Sequence, residues 1–290
     1  MARLNPIRLV VLSAIVLTAS LVALAGSQGG ATYGTLPVFA LVVGVAFLIQ
    51  WIAFIPAYLF QTETFFDVTG SLTYITVTTL ALALSPDIDA RSLLLGALVV
   101  VWAVRLGTFL FTRIHKAGKD DRFDAIKPDT FRFFNAWTIQ GLWVTLTGAT
   151  ALITITSTTR KPLDAFAVAG ALVWAIGFGV EVVADWQKSR FNANPANKGQ
   201  FVRDGLWSRS RHPNYFGEIV LWIGVAIIVL PVLQGWQWVA LLSPIFVTLL
   251  LTRVTGVPLL EAKAEKKWGG QPDYEAYKAA TPVLIPKLFV

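Results

Sequence analysis

The stretch RHPNYFGEIVLWIGVAIIVL, residues 211–230, decides the fold because it joins a charged loop directly to a long apolar segment. Pro213 suits the first turn of a helix, and Asn214 and Glu218 then fall one turn apart on the same helical face. That helix would carry a carboxylate into a membrane. Because an ionisable group is costly at membrane depth, it usually faces a protein interior or polar cavity and marks a functional site.

The composition of the whole chain is also typical of a membrane protein. Of its 290 residues 55% are hydrophobic and only 14% are charged, whereas soluble domains carry about 25% charged residues. The sequence has no Cys and two His, which excludes disulfides, thiol catalysis and a His-rich metal site. The net charge of +7 is explained by basic cytoplasmic loops, so nucleic-acid binding is not predicted.

Long apolar runs predict an all-α polytopic membrane protein with about eight transmembrane helices, since one span needs roughly 20 mainly apolar residues. The candidate spans are 7–27, 37–60, 70–86, 91–114, 136–157, 163–184, 214–232 and 236–257. Lys and Arg concentrate in segments 113–132 and 185–212 and in the C-terminal tail. With eight spans, these basic segments and both termini are predicted to be cytoplasmic.

The first span has two interpretations. Arg3 and Arg8, followed by an apolar core and Ala23-Leu24-Ala25, resemble a secretory signal with a small-residue cleavage site. A retained transmembrane helix is the expectation, and cleavage is the alternative. The Trp and Phe rings near span ends are predicted to be anchors at the membrane interface.

Five polar residues lie within or at the edges of apolar spans: Asp67, Arg105, Gln140, Glu181 and Glu218. Any one of them could be a structural contact between helices or a side chain that reaches to the interface. Because five such residues occur on five different spans, a polar cavity that they share is the favoured interpretation.

Two segments mix cations with acids and amides, residues 118–122 and residues 185–191. Cations suit phosphates and carboxylates suit ribose hydroxyls, so both segments are predicted to contact a nucleotide. The sequence contains neither a Gly-x-Gly-x-x-Gly nor a Walker motif, and any nucleotide would therefore bind within the helical bundle.

Residues 205–218 resemble the C-terminal signature of the steroid 5α-reductase family, in particular its bacterial branch often labelled a domain of unknown function. Supporting motifs lie at residues 65–71, 102–107, 118–123, 185–188, 256–261 and 284–286. The resemblance covers roughly residues 37–290, so residues 1–36 are predicted to be an added N-terminal helix and loop, and the bacterial inner membrane is the expected location. The core Arg-His-Pro-x-Tyr-x-Gly-Glu alone is shared with membrane methyltransferases.

The resemblance implies helices that enclose NADPH and a lipophilic substrate that enters from the bilayer. It implies that Asn214 and Glu218 contact the nicotinamide end of the cofactor and that Glu181 and Asp185 hold the adenosine. The other predicted cofactor-binding residues are Arg105, Lys119, Asp120, Arg122, Gln140, Lys188, Arg190, Arg211, His212 and Tyr215. No metal is expected.

For catalysis, the resemblance matches Asp67 to an acid that hydrogen-bonds the substrate ketone. The tyrosine that assists this acid in animal enzymes aligns with Trp102, and Tyr74 is the substitute candidate. The late His and Tyr contacts of those enzymes have no clear counterpart around residues 253–263.

The predicted reaction is NADPH-dependent reduction of the C4=C5 double bond of 3-oxo-Δ4-steroids or similar lipophilic enones. One alternative is an S-adenosylmethionine-dependent methyltransferase of prenylated cysteine or a phospholipid. The other alternative is a sterol or lipid carrier without enzymatic activity.

Overall fold

The computed structural model describes residues 6–287, and its regular structure is helical apart from one two-residue strand pair. The elements are α1 Pro6–Gly26, β1 Thr32–Tyr33, β2 Leu36–Pro37, α2 Val38–Leu59, α3 Phe66–Leu84, α4 Ala90–Ala117, α5 Thr130–Thr156, α6 Ala165–Ala193, α7 Pro213–Val229, α8 Leu242–Leu249, α9 Gly256–Trp268 and α10 Pro272–Ala280. Shorter 3-10 turns cover Asp121–Phe123, Pro195–Asn197, Gly205–Ser208 and Gly235–Leu241, and a π-helical turn covers Leu250–Val254.

The prediction of an all-α polytopic membrane protein is confirmed. In the described part of the chain, seven helical segments are long and apolar enough to cross a membrane, and α7 is a shorter apolar helix. The seventh long segment, Gly235–Trp268, runs from a 3-10 turn through α8 and the π-helical turn into α9. Arg3, which helped to suggest a secretory signal, lies outside the described residues.

Helix α6 is longer than predicted, because it continues to Ala193 instead of ending near residue 184. Residues 185–193 contain no Gly or Pro, so nothing in their backbone stops the helix. It ends before Asn194, whose side chain accepts a hydrogen bond from the backbone N–H of Ala196 and caps the next turn. Lys188 and Arg190, predicted to lie in the basic segment after the sixth span, therefore lie on the same helix as Asp185.

The chain forms two compact units. The first unit covers the chain up to Asp164 together with Val229–Ser243, and the second covers Ala165–Ile228 and the chain from Pro244 onward. In the first unit α5 is the central helix: 83% of its most apolar window is buried, against 28–39% for the other spans of this kind. Its buried Thr145 and Thr156 donate their hydroxyl protons to carbonyls one turn earlier, which satisfies them inside an apolar environment.

A buried aromatic cluster surrounds the start of α3 and α5 in the first unit. It contains Ala57, Phe66, Phe123, Phe133 and Trp137. The ring of Phe66 meets those of Phe123 and Trp137 edge-on, with centroids 4.9 and 5.0 Å apart. The expectation that rings near span ends anchor the membrane interface is therefore wrong for Phe66, Phe133 and Trp137, because these rings are buried inside the protein.

The connection between α2 and α3 holds a buried carboxylate. Glu63, only 3% exposed, accepts hydrogen bonds from the ammonium of Lys127 at 2.5 Å and from the backbone N–H of Asp120 at 2.9 Å. These two bonds fasten the α4–α5 loop to the start of α3.

In the second unit, α6 and α7 cross at pairs of glycines. A methyl group on Gly177 would lie 2.5 Å from the backbone nitrogen of Leu221 and 2.6 Å from the carbonyl oxygen of Gly217. Gly170 and Gly224 form an equivalent contact one heptad away. Small residues at this spacing let two membrane helices approach to backbone contact.

We expect Gly177→Ala to lower the free energy of unfolding by about 2 kcal/mol, because the added methyl group has no space between the helices. Gly179→Ala is the matched control, since a methyl group there has no neighbour within 4 Å. Thermal unfolding of the purified protein in detergent measures both. Equal melting temperatures for the two variants would contradict the close crossing.

Glu63→Gln is expected to lower the free energy of unfolding by about 3 kcal/mol, because it removes the buried carboxylate and leaves the half-buried ammonium of Lys127 without its counter-charge. The control is Glu265→Gln, which removes an exposed carboxylate that pairs with Lys278 at 2.7 Å and should cost less than about 1 kcal/mol. Chemical denaturation in detergent compares the two. If Glu63→Gln lowers the stability as little as Glu265→Gln does, the pair of Glu63 and Lys127 does not fix the loop.

Candidate functional site

The motif at residues 211–218 leads into α7 and forms its first turns in the second unit. The helix begins at Pro213, as predicted. Before it, the backbone N–H of Arg211 donates to the carbonyl of Pro282 at 2.9 Å, and the hydroxyl of Ser210 accepts from the backbone N–H of His212. The C-terminal segment thus holds the motif in place.

Glu261 of α9 binds two residues of the motif at once. Its carboxylate lies 2.8 Å from Nη1 of Arg211 and 2.7 Å from Nε2 of His212. Because a carboxylate accepts, His212 carries a proton on Nε2. The ring of Tyr215 stacks on His212 at 9° with centroids 5.6 Å apart. Sequence reasoning missed the role of Glu261, for which its place at the end of an apolar run was the available signal.

Helix α6 brings two buried carboxylates to the first turns of α7. Glu181 is 2% exposed and Asp185 is 5% exposed. The side-chain amide of Asn214 donates to Oδ1 of Asp185 at 3.1 Å. A methyl group on Gly217 would lie 2.6 Å from the backbone nitrogen of Glu181, so the close helix crossing brings Glu181 to the turn that joins Asn214 and Glu218.

Three polar atoms of the motif are buried without a hydrogen-bond partner among the described residues: Nε of Arg211, Nδ1 of His212 and Oδ1 of Asn214. An unsatisfied buried donor or acceptor costs about 1–3 kcal/mol. Three of them within four consecutive residues suit a polar ligand that supplies the missing partners.

At the C-terminal end of α6, the cations contact aromatic rings. The ammonium of Lys188 lies 4.7 Å from the ring centroid of Trp207, and the guanidinium of Arg190 lies 5.4 Å from that of Trp186. A pocket of about 370 Å³ opens beside Arg190.

In the first unit, Asp67 occupies the first turn of α3 among cations. Its carboxylate lies 3.4 Å from Nη2 of Arg113 and 3.9 Å from Nη2 of Arg122. Arg122 also forms a bidentate pair with Asp120. Asp67 is therefore part of a network of ion pairs, and Arg113 is a partner that sequence reasoning missed.

The neighbouring loop residues of the predicted cofactor set are also paired. Lys119 donates to Asp124 at 2.7 Å, and this hydrogen bond raises the pKa of Lys119. Burial alone would raise the pKa of Asp120, but its hydrogen bonds and ion pair with Arg122 outweigh that effect and lower it. Both groups are consequently charged at neutral pH.

The remaining predicted residues of the first unit lie along α3, α4 and α5. The hydroxyl of Tyr74 donates to the carbonyl of Trp143 at 3.3 Å, and its ring meets Trp102 edge-on at 5.0 Å. The guanidinium of Arg105 lies 5.3 Å from the ring of Phe109. The amide of Gln140 donates to the carbonyl of Phe66 at 3.1 Å, so Gln140 ties α5 to the start of α3.

The predicted site residues are thus divided between the units. The first unit holds Asp67, Tyr74, Arg105, Lys119, Asp120, Arg122 and Gln140, and the second holds Glu181, Asp185, Lys188, Arg190, Arg211, His212, Asn214, Tyr215 and Glu218. Within residues 6–287 no group of three or more His, Asp or Glu side chains could hold a metal ion.

A similarity to a curated protein is local. A stretch of 58 residues is 36% identical to the "Probable O-methyltransferase ustE" of Ustilaginoidea virens and spans 20% of either chain. No solved structure matches. The family described as "Protein of unknown function (DUF1295)" matches residues 53–281, and the chain therefore belongs to this family.

Proposed function

We propose that this membrane protein is an NADPH-dependent reductase of the activated C=C bond of lipophilic enones, including 3-oxo-Δ4-steroids. The observation that supports the proposal most strongly is the state of Asn214. Its amide nitrogen is fixed by Asp185, while its carbonyl oxygen is buried without a partner among the described residues. An acceptor of this kind suits the amide N–H donors of a nicotinamide carboxamide.

The chemistry of the neighbouring groups fits the same cofactor. Nε of Arg211 is an unsatisfied buried donor that suits a phosphate oxygen. The buried carboxylate of Asp185 accepts hydrogen bonds, and hydroxyl groups of a ribose could donate to it. When bound, NADPH would supply a hydride, and the protein would supply placement and electrostatic field.

In this proposal Asp67 and Tyr74 serve the substrate carbonyl. A hydrogen-bond donor stabilises the negative charge that develops on a carbonyl oxygen when the conjugated double bond is reduced. Asp67 can donate only as the neutral acid, so it must take up a proton and loosen its pair with Arg113. Tyr74 can donate once its hydroxyl leaves the carbonyl of Trp143.

A second candidate is S-adenosylmethionine-dependent methyl transfer. It is favoured by the local similarity to the Ustilaginoidea virens protein, whose printed name is an O-methyltransferase, and by the resemblance of residues 211–218 to membrane methyltransferases. The same unsatisfied atoms of the motif would then bind the amino-acid part of the methyl donor.

We expect Asn214→Ala to raise the dissociation constant of NADPH about tenfold. The substitution removes the buried acceptor oxygen and the hydrogen bond to Asp185 that holds the side chain in place. Isothermal titration of the detergent-purified protein with NADPH and with S-adenosylmethionine measures this. Asn192→Ala, at an exposed position of α6, is the control. An unchanged NADPH affinity in Asn214→Ala would reject the cofactor role, and binding of S-adenosylmethionine alone would favour the second candidate.

Asp67→Ala should abolish enone-dependent NADPH oxidation while NADPH affinity stays within about threefold of wild type, since its predicted role is at the substrate carbonyl. Arg113→Gln is the matched control, because it breaks the same ion pair and leaves the carboxyl in place. Rates with a panel of steroid enones and NADPH titrations are compared for both variants. If Arg113→Gln loses turnover to the same extent, or if Asp67→Ala loses NADPH binding, Asp67 has a structural role.

A further inference from the structure

The pocket at the C-terminal end of α6 carries two opposite charges that do not pair. Its walls are formed by α6 and the loop that follows, including Trp186, Arg190, Asn194 and Asp204. Neither Arg190 nor Asp204 forms a salt bridge with another described residue. Arg190 lies over the ring of Trp186, and Asp204 precedes the turn Gly205–Ser208 without capping it.

We infer that this pocket binds the headgroup of an ethanolamine phospholipid, with Arg190 at the phosphate and Asp204 at the ammonium. A zwitterionic headgroup supplies one opposite charge for each side chain, which a simple anion or cation cannot do. This inference does not depend on the proposed reaction.

The amides around the pocket support the assignment of the phosphate. The side-chain oxygen of Gln187 accepts from the backbone N–H of Leu206 at 2.9 Å, and that of Asn194 accepts from Ala196 at 3.0 Å. Their NH₂ groups therefore remain as donors. Together with the guanidinium of Arg190, they match the oxygens of a phosphodiester.

The position of the pocket along α6 identifies a lipid as the source of the headgroup. Helix α6 is a candidate membrane span, and the pocket lies at its polar end, where Trp186 is 56% exposed. Exposed Trp and Arg at the end of a span mark the level of the lipid headgroups. The volume of about 370 Å³ falls at the small end of ligand-binding cavities, about 300–1,000 Å³.

The test is a titration of the full-length protein in detergent with dihexanoyl-phosphatidylethanolamine, followed by Trp fluorescence. Arg190→Gln and Asp204→Asn should each weaken binding about tenfold, because each removes one charged contact. Lys198→Gln, an exposed cation of the same loop outside the pocket lining, should bind like wild type. Dihexanoyl-phosphatidylglycerol, which lacks the ammonium, should bind more weakly than the ethanolamine lipid and be indifferent to Asp204→Asn.

Inorganic phosphate and NADPH distinguish other sources of the same chemistry. We expect neither to displace the ethanolamine lipid. Displacement by NADPH would overturn the inference and return Arg190 to the predicted cofactor set, while displacement by phosphate would reduce the pocket to an anion site. Wild-type binding by Asp204→Asn would also overturn it. Monodisperse elution and an unchanged melting temperature of each variant confirm that the comparison concerns folded protein.

Discussion

The candidate cofactor site depends on the contact between the backbones of α6 and α7. Gly177 and Gly217 have no side chains to separate the helices, so the helices meet at backbone distance. Only at that distance can the short side chains of Asp185 and Asn214 form a hydrogen bond across the interface. In lipid, where apolar side chains gain little by leaving the solvent, packing and polar contacts of this kind provide much of the attraction between helices. The glycines therefore determine both the stability of the second unit and the position of its polar groups.

The buried charges of the protein fall into two groups with different consequences. The carboxylate of Glu63 accepts hydrogen bonds from Lys127 and from the N–H of Asp120, and these bonds hold the α4–α5 loop in position. The motif at the start of α7 is different, because Glu261 satisfies only part of Arg211 and His212 and leaves one buried nitrogen on each. Complete pairing points to structure, whereas incomplete pairing at neighbouring residues points to a ligand. This distinction supports a ligand role for the α7 motif more than for the ion-paired loop at Lys119 and Asp120.

The sequence predicted the membrane class and the start of α7 correctly, because long apolar runs and Pro213 act locally on the chain. It placed the end of α6 too early, because the charged residues 185–190 continue the helix, with no Gly or Pro to stop it, instead of beginning a loop. The burial of Trp137 and Phe133 could not be predicted, because interface rings and core rings share the same composition. The partners of Asp67 and His212 depend on residues far away in sequence, Arg113 and Glu261, and no local pattern reveals such pairs. The roles assigned to the cofactor residues remain predictions.

The requirement that Asp67 donate a proton shapes the proposed reaction. Two guanidiniums lie near its carboxylate, and a carboxylate that is ionised between them can only accept hydrogen bonds. A neutral ketone offers acceptor oxygens alone, so an ionised Asp67 would repel it. A substrate that displaces water and separates Asp67 from Arg113 would favour the neutral acid, because desolvation disfavours a charged carboxylate. In the proposed reductase, substrate entry itself would thus convert an ion-paired carboxylate into a hydrogen-bond donor. The methyltransferase alternative makes no such demand, and the protonation state of Asp67 in the presence of an enone is the property in which the two chemistries differ most.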